Sequence, residues 1–145
     1  MAETGEFSIS RVVNASPERV FGAYLDPAQF VQFWSPEGVT IALETVVIEP
    51  WVGGRFECTM VVEAMDNLEL PNVGTFVEIV ENERLVFCEA SLGDLISTMS
   101  FTDLGDGRTE VAVNQINVPI DYLGPQATEG FNSCFDKLEA LLAKD

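Results

Sequence analysis

Histidine is absent from this chain of 145 residues. That removes Ser-His-Asp and Cys-His catalysis and any zinc site built on imidazole. Positive charge is almost as scarce, with seven Lys plus Arg against 24 Asp plus Glu, a formal net charge of −17. A surface that tracks phosphates needs clustered cations. Arg11, Arg19, Arg55, Arg84, Arg108, Lys137 and Lys144 stand singly among acids, so nucleic acid is not an expected partner. Anionic membrane surfaces are disfavoured for the same reason, and no apolar run approaches the roughly 20 residues of a membrane span. No membrane association is expected. Cysteine is limited to Cys58, Cys88 and Cys134, odd in number, widely spaced and without a metal-ligand pattern, and the N-terminus MAETGEF lacks a charged-then-apolar signal segment. A reduced, cytoplasmic protein with no cofactor and no metal is expected. The acidity itself has three readings: a solvated face, a docking surface for a basic partner, or a salt-adapted source.

What is present is strongly patterned. Ser16 before Pro17 is a helix start, with hydroxyl cap and proline at the first helical position, and Glu18 suits the positive end of the helix dipole. Val20, Phe21, Tyr24 and Leu25 then share one helical face. Asp26 and Pro27 repeat the start signal with Gln29 at the capping-box position, and Phe30, Val31, Phe33 and Trp34 form a second stripe that Ser35 and Pro36 end. After Pro36 the period becomes strand-like, predicting strands over Val39–Val47, Gly54–Ala64, Val73–Val80, Arg84–Ser91, Leu95–Leu104 and Arg108–Val118. Turn residues such as Asp66-Asn67 and Gly105-Asp106-Gly107 make successive strands hairpin neighbours. Phe7–Asn14 adds a strand ahead of the helix pair, seven in all.

From about Gly124 the helical period returns, with Ala127, Phe131, Cys134, Phe135, Leu138, Leu141 and Leu142 on one face. The expected fold is α+β: a seven-stranded curved antiparallel sheet around a long C-terminal helix, with two short helices after the first strand. The chain reads as one domain over residues 1–145. A two-layer fold of this kind leaves room between sheet and helix, where small-molecule sites favour concavities.

The run Ala15-Ser16-Pro17-Glu18-Arg19-Val20-Phe21, the Asp26-Pro27 break, Phe33-Trp34-Ser35-Pro36, Pro50-Trp51-Val52-Gly53-Gly54-Arg55-Phe56, Val73-Gly74-Thr75 to Glu78-Ile79, Glu83-Arg84-Leu85-Val86 and Gly130-Phe131 appear in this order. Together they resemble the activator of heat-shock protein 90 ATPase homologue-like branch of the START-like superfamily (SRPBCC), over nearly the whole chain. The resemblance implies the helix-grip architecture. It departs from the usual pattern at Phe21 and Phe131, where similar proteins carry tryptophan. It leaves the activity open, because this superfamily hosts carriers, cyclases, hydroxylase subunits and co-chaperones.

The residues themselves narrow the chemistry. The paired glycines of Pro50–Phe56 lack the Walker lysine and a following helix, so they read as a bend that admits close backbone approach rather than a phosphate cradle. Cys58 and Cys134 read as interior. Alternation turns Glu57, Glu63 and Glu78 outward, the last by placing Val77 and Ile79 inward, and leaves Glu89 ambiguous between Phe87 and Cys88. The leading expectation is a non-enzymatic domain binding a hydrophobic or aromatic small molecule between the last helix and the sheet. Trp34, Phe56, Met60, Met99, Phe101, Phe131 and Phe135 are the wall candidates. Docking to a chaperone or other protein is the alternative, although the eukaryotic activators' additional N-terminal chaperone-binding domain is not expected here. A cyclase- or dehydratase-like enzyme using a pocket carboxylate is the third reading.

Overall fold

The computed structural model describes residues 4–35, 38–90, 93–120 and 123–143. Eight strands and three α-helices follow in the order β1 (Thr4–Val13), α1 (Pro17–Leu25), α2 (Pro27–Phe33), β2 (Val39–Ile41), β3 (Val47–Ile48), β4 (Arg55–Val62), β5 (Leu68–Val80), β6 (Arg84–Glu89), β7 (Leu95–Gly105), β8 (Arg108–Pro119) and α3 (Pro125–Leu142). All pair antiparallel in one sheet, ordered β1-β8-β7-β6-β5-β4-β2 with β3 also on β4. This is the helix-grip arrangement, a curled sheet whose inner face is covered by the helices.

The helix starts form as their sequence dictates. Ser16 Oγ accepts from the Arg19 N–H at 3.3 Å, and Asp26 Oδ1 accepts from the Ala28 N–H at 3.1 Å. Each satisfies an N–H that has no intrahelical partner. Thr109, fully buried, donates its hydroxyl to the Ala15 carbonyl at 2.7 Å and anchors the entry of α1 on β8. α3 is fixed to β1 through Arg11, which donates to Asp136 at 2.6 Å and Asn132 at 3.0 Å. It is also tied to the end of α2, where Lys137 donates to the Ser35 carbonyl at 2.6 Å.

Three strand expectations are corrected. Val39–Val47 is not continuous: a 3-10 turn at Leu43–Thr45 splits it into β2 and β3, so eight strands occupy seven positions in the sheet. Thr45 imposes the break, since its hydroxyl donates to Ala42 O at 2.7 Å and accepts from the Thr59 N–H at 3.2 Å. β5 starts at Leu68, five residues before the expected Val73, because Asp66 and Asn67 both take left-handed φ (59° and 58°) and close a tight hairpin with β4. The third correction concerns Val77, which is 51% exposed. A register shift between Phe76 and Glu78 makes it the bulged residue, so Phe76 and Ile79 take the inner positions. The Gly53-Gly54 bend pairs there, Gly53 N–H donating to Phe76 O at 2.8 Å and Phe76 N–H to Gly54 O at 2.9 Å. A Cβ at Gly54 would collide with the Glu49 carbonyl, which confirms the close approach expected of that glycine.

Candidate functional site between the helices and one end of the sheet

The inner face differs from one end of the strands to the other. On β7, Leu95, Ser97, Met99 and Phe101 point inward in succession and are all buried. At the Phe101 end, α1 seals the interior: Phe101 meets Phe21 edge-on at 5.8 Å and Tyr24 at 5.4 Å, and Tyr24 meets Phe33 at 4.9 Å. Burial pushes the Tyr24 phenol far above its ordinary pKa, so it stays neutral.

At the Leu95 end three of the rings, Trp34, Phe131 and Phe7, are only partly covered. Trp34, which caps the C-terminus of α2, is half-buried and stacks on Phe30 at 5.4 Å. It also lies 6.2 Å from Phe87, 6.3 Å from Phe56 and 6.2 Å from Phe131. Phe131, half-buried in the second turn of α3, stacks in turn on the half-buried Phe7 of β1 at 5.4 Å. Two helices and three strands thus bring aromatic rings together around one partly open end.

Polar groups enter the same end from the sheet. Leu85, Phe87 and Glu89 alternate onto the inner face of β6, and this settles the direction of Glu89: it faces inward. Gly74 makes room for it, since a Cβ there would lie 2.7 Å from the Cys88 carbonyl and 3.2 Å from Glu89 Cγ. Across that glycine lie Phe56, which pairs with Gly74, and Cys58, which pairs with Asn72. Removal from water pushes the Glu89 carboxyl up to about 7, with no opposing cation among the described residues. Burial and the neighbouring Glu89 push the Cys58 thiol up to about 12, against a hydrogen bond from Asn72, so Cys58 is no thiolate nucleophile. Further along the same face, Ser97 accepts from Gln115 Nε2 at 3.0 Å.

The expected wall residues divide accordingly. Trp34, Phe56 and Phe131 meet at the partly open end, and Phe135 lies behind Phe131 at 6.4 Å with Arg11 over its ring at 5.4 Å. Met60 flanks this group beside Ile41. Met99 and Phe101 belong to the sealed core, 1% and 4% exposed. Phe7, Asn72, Phe87, Ser97 and Gln115 were not foreseen. For Glu89, anchoring the alternation of β6 on Leu85 rather than on Cys88 would have predicted its direction.

The outer acids behave as expected. Glu57 pairs with Arg55 at 2.8 Å and Glu78 with Arg84 at 2.6 Å. A depression of about 320 Å³ lies on the outer face of β1, β7 and β8, lined by Ser8, Ser10, Thr98, Ser100, Ala112 and Asn114 among others. Its amide is already engaged, Asn114 donating to Ser8 Oγ at 2.9 Å and to Glu6 at 2.7 Å. Among the described residues no cluster of His, Cys, Asp and Glu is placed to hold a metal, and no helix is long and apolar enough to cross a membrane.

Solved structures share this arrangement. A Chromobacterium violaceum protein is 27% identical, with a TM-score of 0.86 over 97% of this chain and 99% of its own. A Nitrosomonas europaea protein is 16% identical, with a TM-score of 0.83 over 97% and 95%. The AHSA1-like protein from Aeromonas hydrophila is 20% identical, with a TM-score of 0.77 over 96% and 92%. Among curated proteins nothing matches the chain. Residues 14–143 match the family described as Activator of Hsp90 ATPase homolog 1-like protein, and the chain belongs to that family.

Proposed function

We propose that this protein binds a small, largely apolar or aromatic molecule between α3 and the inner face of the sheet. Trp34, Phe56 and Phe131 form the contact walls, Met60 flanks them, and Phe135, Met99 and Phe101 make the rigid apolar floor behind. One observation carries the reading: half-buried rings from α2, α3 and β1 gather at the same end of the interior as the inward carboxyl of Glu89. A site that is mainly apolar with a few convergent polar groups suits recognition of a small molecule.

The test is a panel of apolar compounds screened by thermal shift and by fluorescence of a Trp51→Phe variant, whose sole tryptophan is Trp34. A ligand at about 100 times its Kd stabilises by about 2.7 kcal/mol, a rise of several degrees. If no compound raises Tm and none alters Trp34 emission, the reading fails.

A second reading has one observation in its favour. A carboxyl near neutrality suits proton transfer, as a cyclase- or dehydratase-like reaction requires. It predicts that a bound compound is recovered chemically changed, and unchanged from Glu89→Gln. Docking to a chaperone rests on the acidic composition and the family description alone.

A further inference from the structure

We propose that the molecule held at this site carries a protonated amine, set against Glu89 with its apolar body against Trp34, Phe56 and Phe131; this rests on the binding function proposed above. Neighbouring strands supply the groups that face the carboxyl. From β4 comes Cys58, whose thiol stays protonated. From β5 come Asn72 and Gly74, from β7 Leu95 and Ser97, and from β6 itself Phe87, none of them titratable. Phe56, which pairs with Gly74, links this place to the ring cluster, with Trp34 at 6.3 Å from Phe56 and Phe131 at 6.2 Å from Trp34. Asp94 and Glu57 lie on the opposite face, Asp94 beside Cys88 and Glu57 with Arg55.

The described cations are committed elsewhere. Arg11 holds Asp136, Arg19 donates to Gln29 at 2.6 Å, Arg55 and Arg84 hold Glu57 and Glu78, Lys137 holds the Ser35 carbonyl, and Arg108 is exposed on the β7–β8 hairpin. An anionic ligand head would therefore meet a carboxyl without a compensating cation. A neutral head would leave the ionised carboxylate unpaired above neutral pH. An ammonium satisfies it: a charge-assisted hydrogen bond forms in a site of low dielectric, and the ring cluster on the same inner face takes the apolar body. The net charge of −17 adds a long-range field of the same sign, attracting cations and repelling anions. Ammonium binding draws the carboxyl into its ionised form, so uptake of the amine releases a proton wherever the free protein holds one.

The experiment compares 4-phenylbutylamine, 4-phenylbutanol and 5-phenylpentanoate, which share one phenylbutyl body and differ in head charge. Affinities are measured by Trp34 fluorescence in the Trp51→Phe background, at about 0.3 M salt to screen the general field. The expected order at pH 8 is amine, alcohol, acid, with the amine about tenfold tighter than the alcohol. That preference falls towards one at pH 5.5, where the carboxyl is neutral, and is lost at both pH values in Glu89→Gln. A preference for the amine that survives Glu89→Gln, or an alcohol or acid that binds as tightly as the amine, overturns the amine assignment and leaves the apolar site standing. Failure of all three to bind overturns the assignment and counts against the site itself.

Discussion

The two ends of the interior are built from the same strands yet are opposites. β7 runs from Leu95 at one end to Phe101 at the other, with its side chains alternating inward throughout. Around Phe101 every ring is buried, Val20, Ala23, Val13 and Val111 are fully enclosed, and the buried hydroxyl of Thr109 is satisfied by Ala15. Around Leu95 the interior admits Glu89, Asn72, Ser97 and Gln115, and Trp34, Phe131 and Phe7 keep part of their surface open. The difference comes from where the helix pair lies. α1 packs on β7 and β8 near Phe101, whereas α2 ends at Trp34, so over the other end the helix pair contributes only the Trp34 ring beside the half-buried Phe131 of α3. The sealed end holds the fold together, and the partly open end tolerates groups that a dry core would reject.

The largest effect that would break this comparison belongs to the sealed end. Phe101→Ala removes a ring wedged between Phe21 and Tyr24, and the surroundings cannot collapse around it without moving α1. A loss of about 3–5 kcal/mol is expected in denaturant unfolding. A loss below about 2 kcal/mol would mean that this end is not tightly packed and that the contrast is false.

The next effect is smaller and depends on pH. The Glu89 carboxyl titrates at about 7 in the folded protein, against 4.5 when free of the fold. The folded state therefore binds the extra proton between these values, so stability falls as pH rises through that window and stays low above it. Glu89→Gln removes the burden of ionising an inward carboxyl. The variant is expected to be more stable than the parent at pH 8, by on the order of 3 kcal/mol at most, and to converge with it below about pH 4.5. Chemical unfolding of both proteins across pH isolates this group from the other acids, which are common to the two. Parallel pH profiles would mean that Glu89 is solvated and the two ends are alike in polarity.

The sealed end was legible in the sequence and the open end only in part, for a physical reason. Helix starts are local: Ser16-Pro17 and Asp26-Pro27 carry their caps within three residues, and both formed as read. The apolar stripe of α3 is equally local. Strand phase is not, because one bulge reverses it. Alternation alone places Val77 inward, but the Gly53-Gly54 bend, more than 20 residues earlier in the chain, pairs at Phe76 where the register slips. Glu89 is ambiguous for a related reason: Phe87 and Cys88 are both apolar, and the phase has to be carried from Leu85, whose inner position the pairing of β6 with β5 and β7 bears out. The aromatic gathering at Trp34 joins residues from α2, β4, β6 and α3, and no spacing along the chain announces it.

Phe131→Ala gives the smallest expected change in stability and the sharpest separation of the two ends. Phe131 stacks on Phe7, meets Trp34 edge-on and lies 6.4 Å from Phe135, so it has one ring neighbour more than Phe101. The two differ in what lies on their remaining faces. Phe101 is 4% exposed and its removal leaves a dry void, whereas Phe131 is half-buried in a region that already holds Glu89 and Asn72, so water can fill part of the space it vacates. Its stability loss is expected near about 1 kcal/mol, well below that of Phe101→Ala. Ligand affinity should respond in the opposite order. Losing the Phe131 wall should weaken an apolar ligand by about tenfold, which titration of Trp34 emission reads directly. A stability loss as large as that of Phe101→Ala, with affinity unchanged, would make Phe131 an ordinary core residue and leave the protein with two sealed ends.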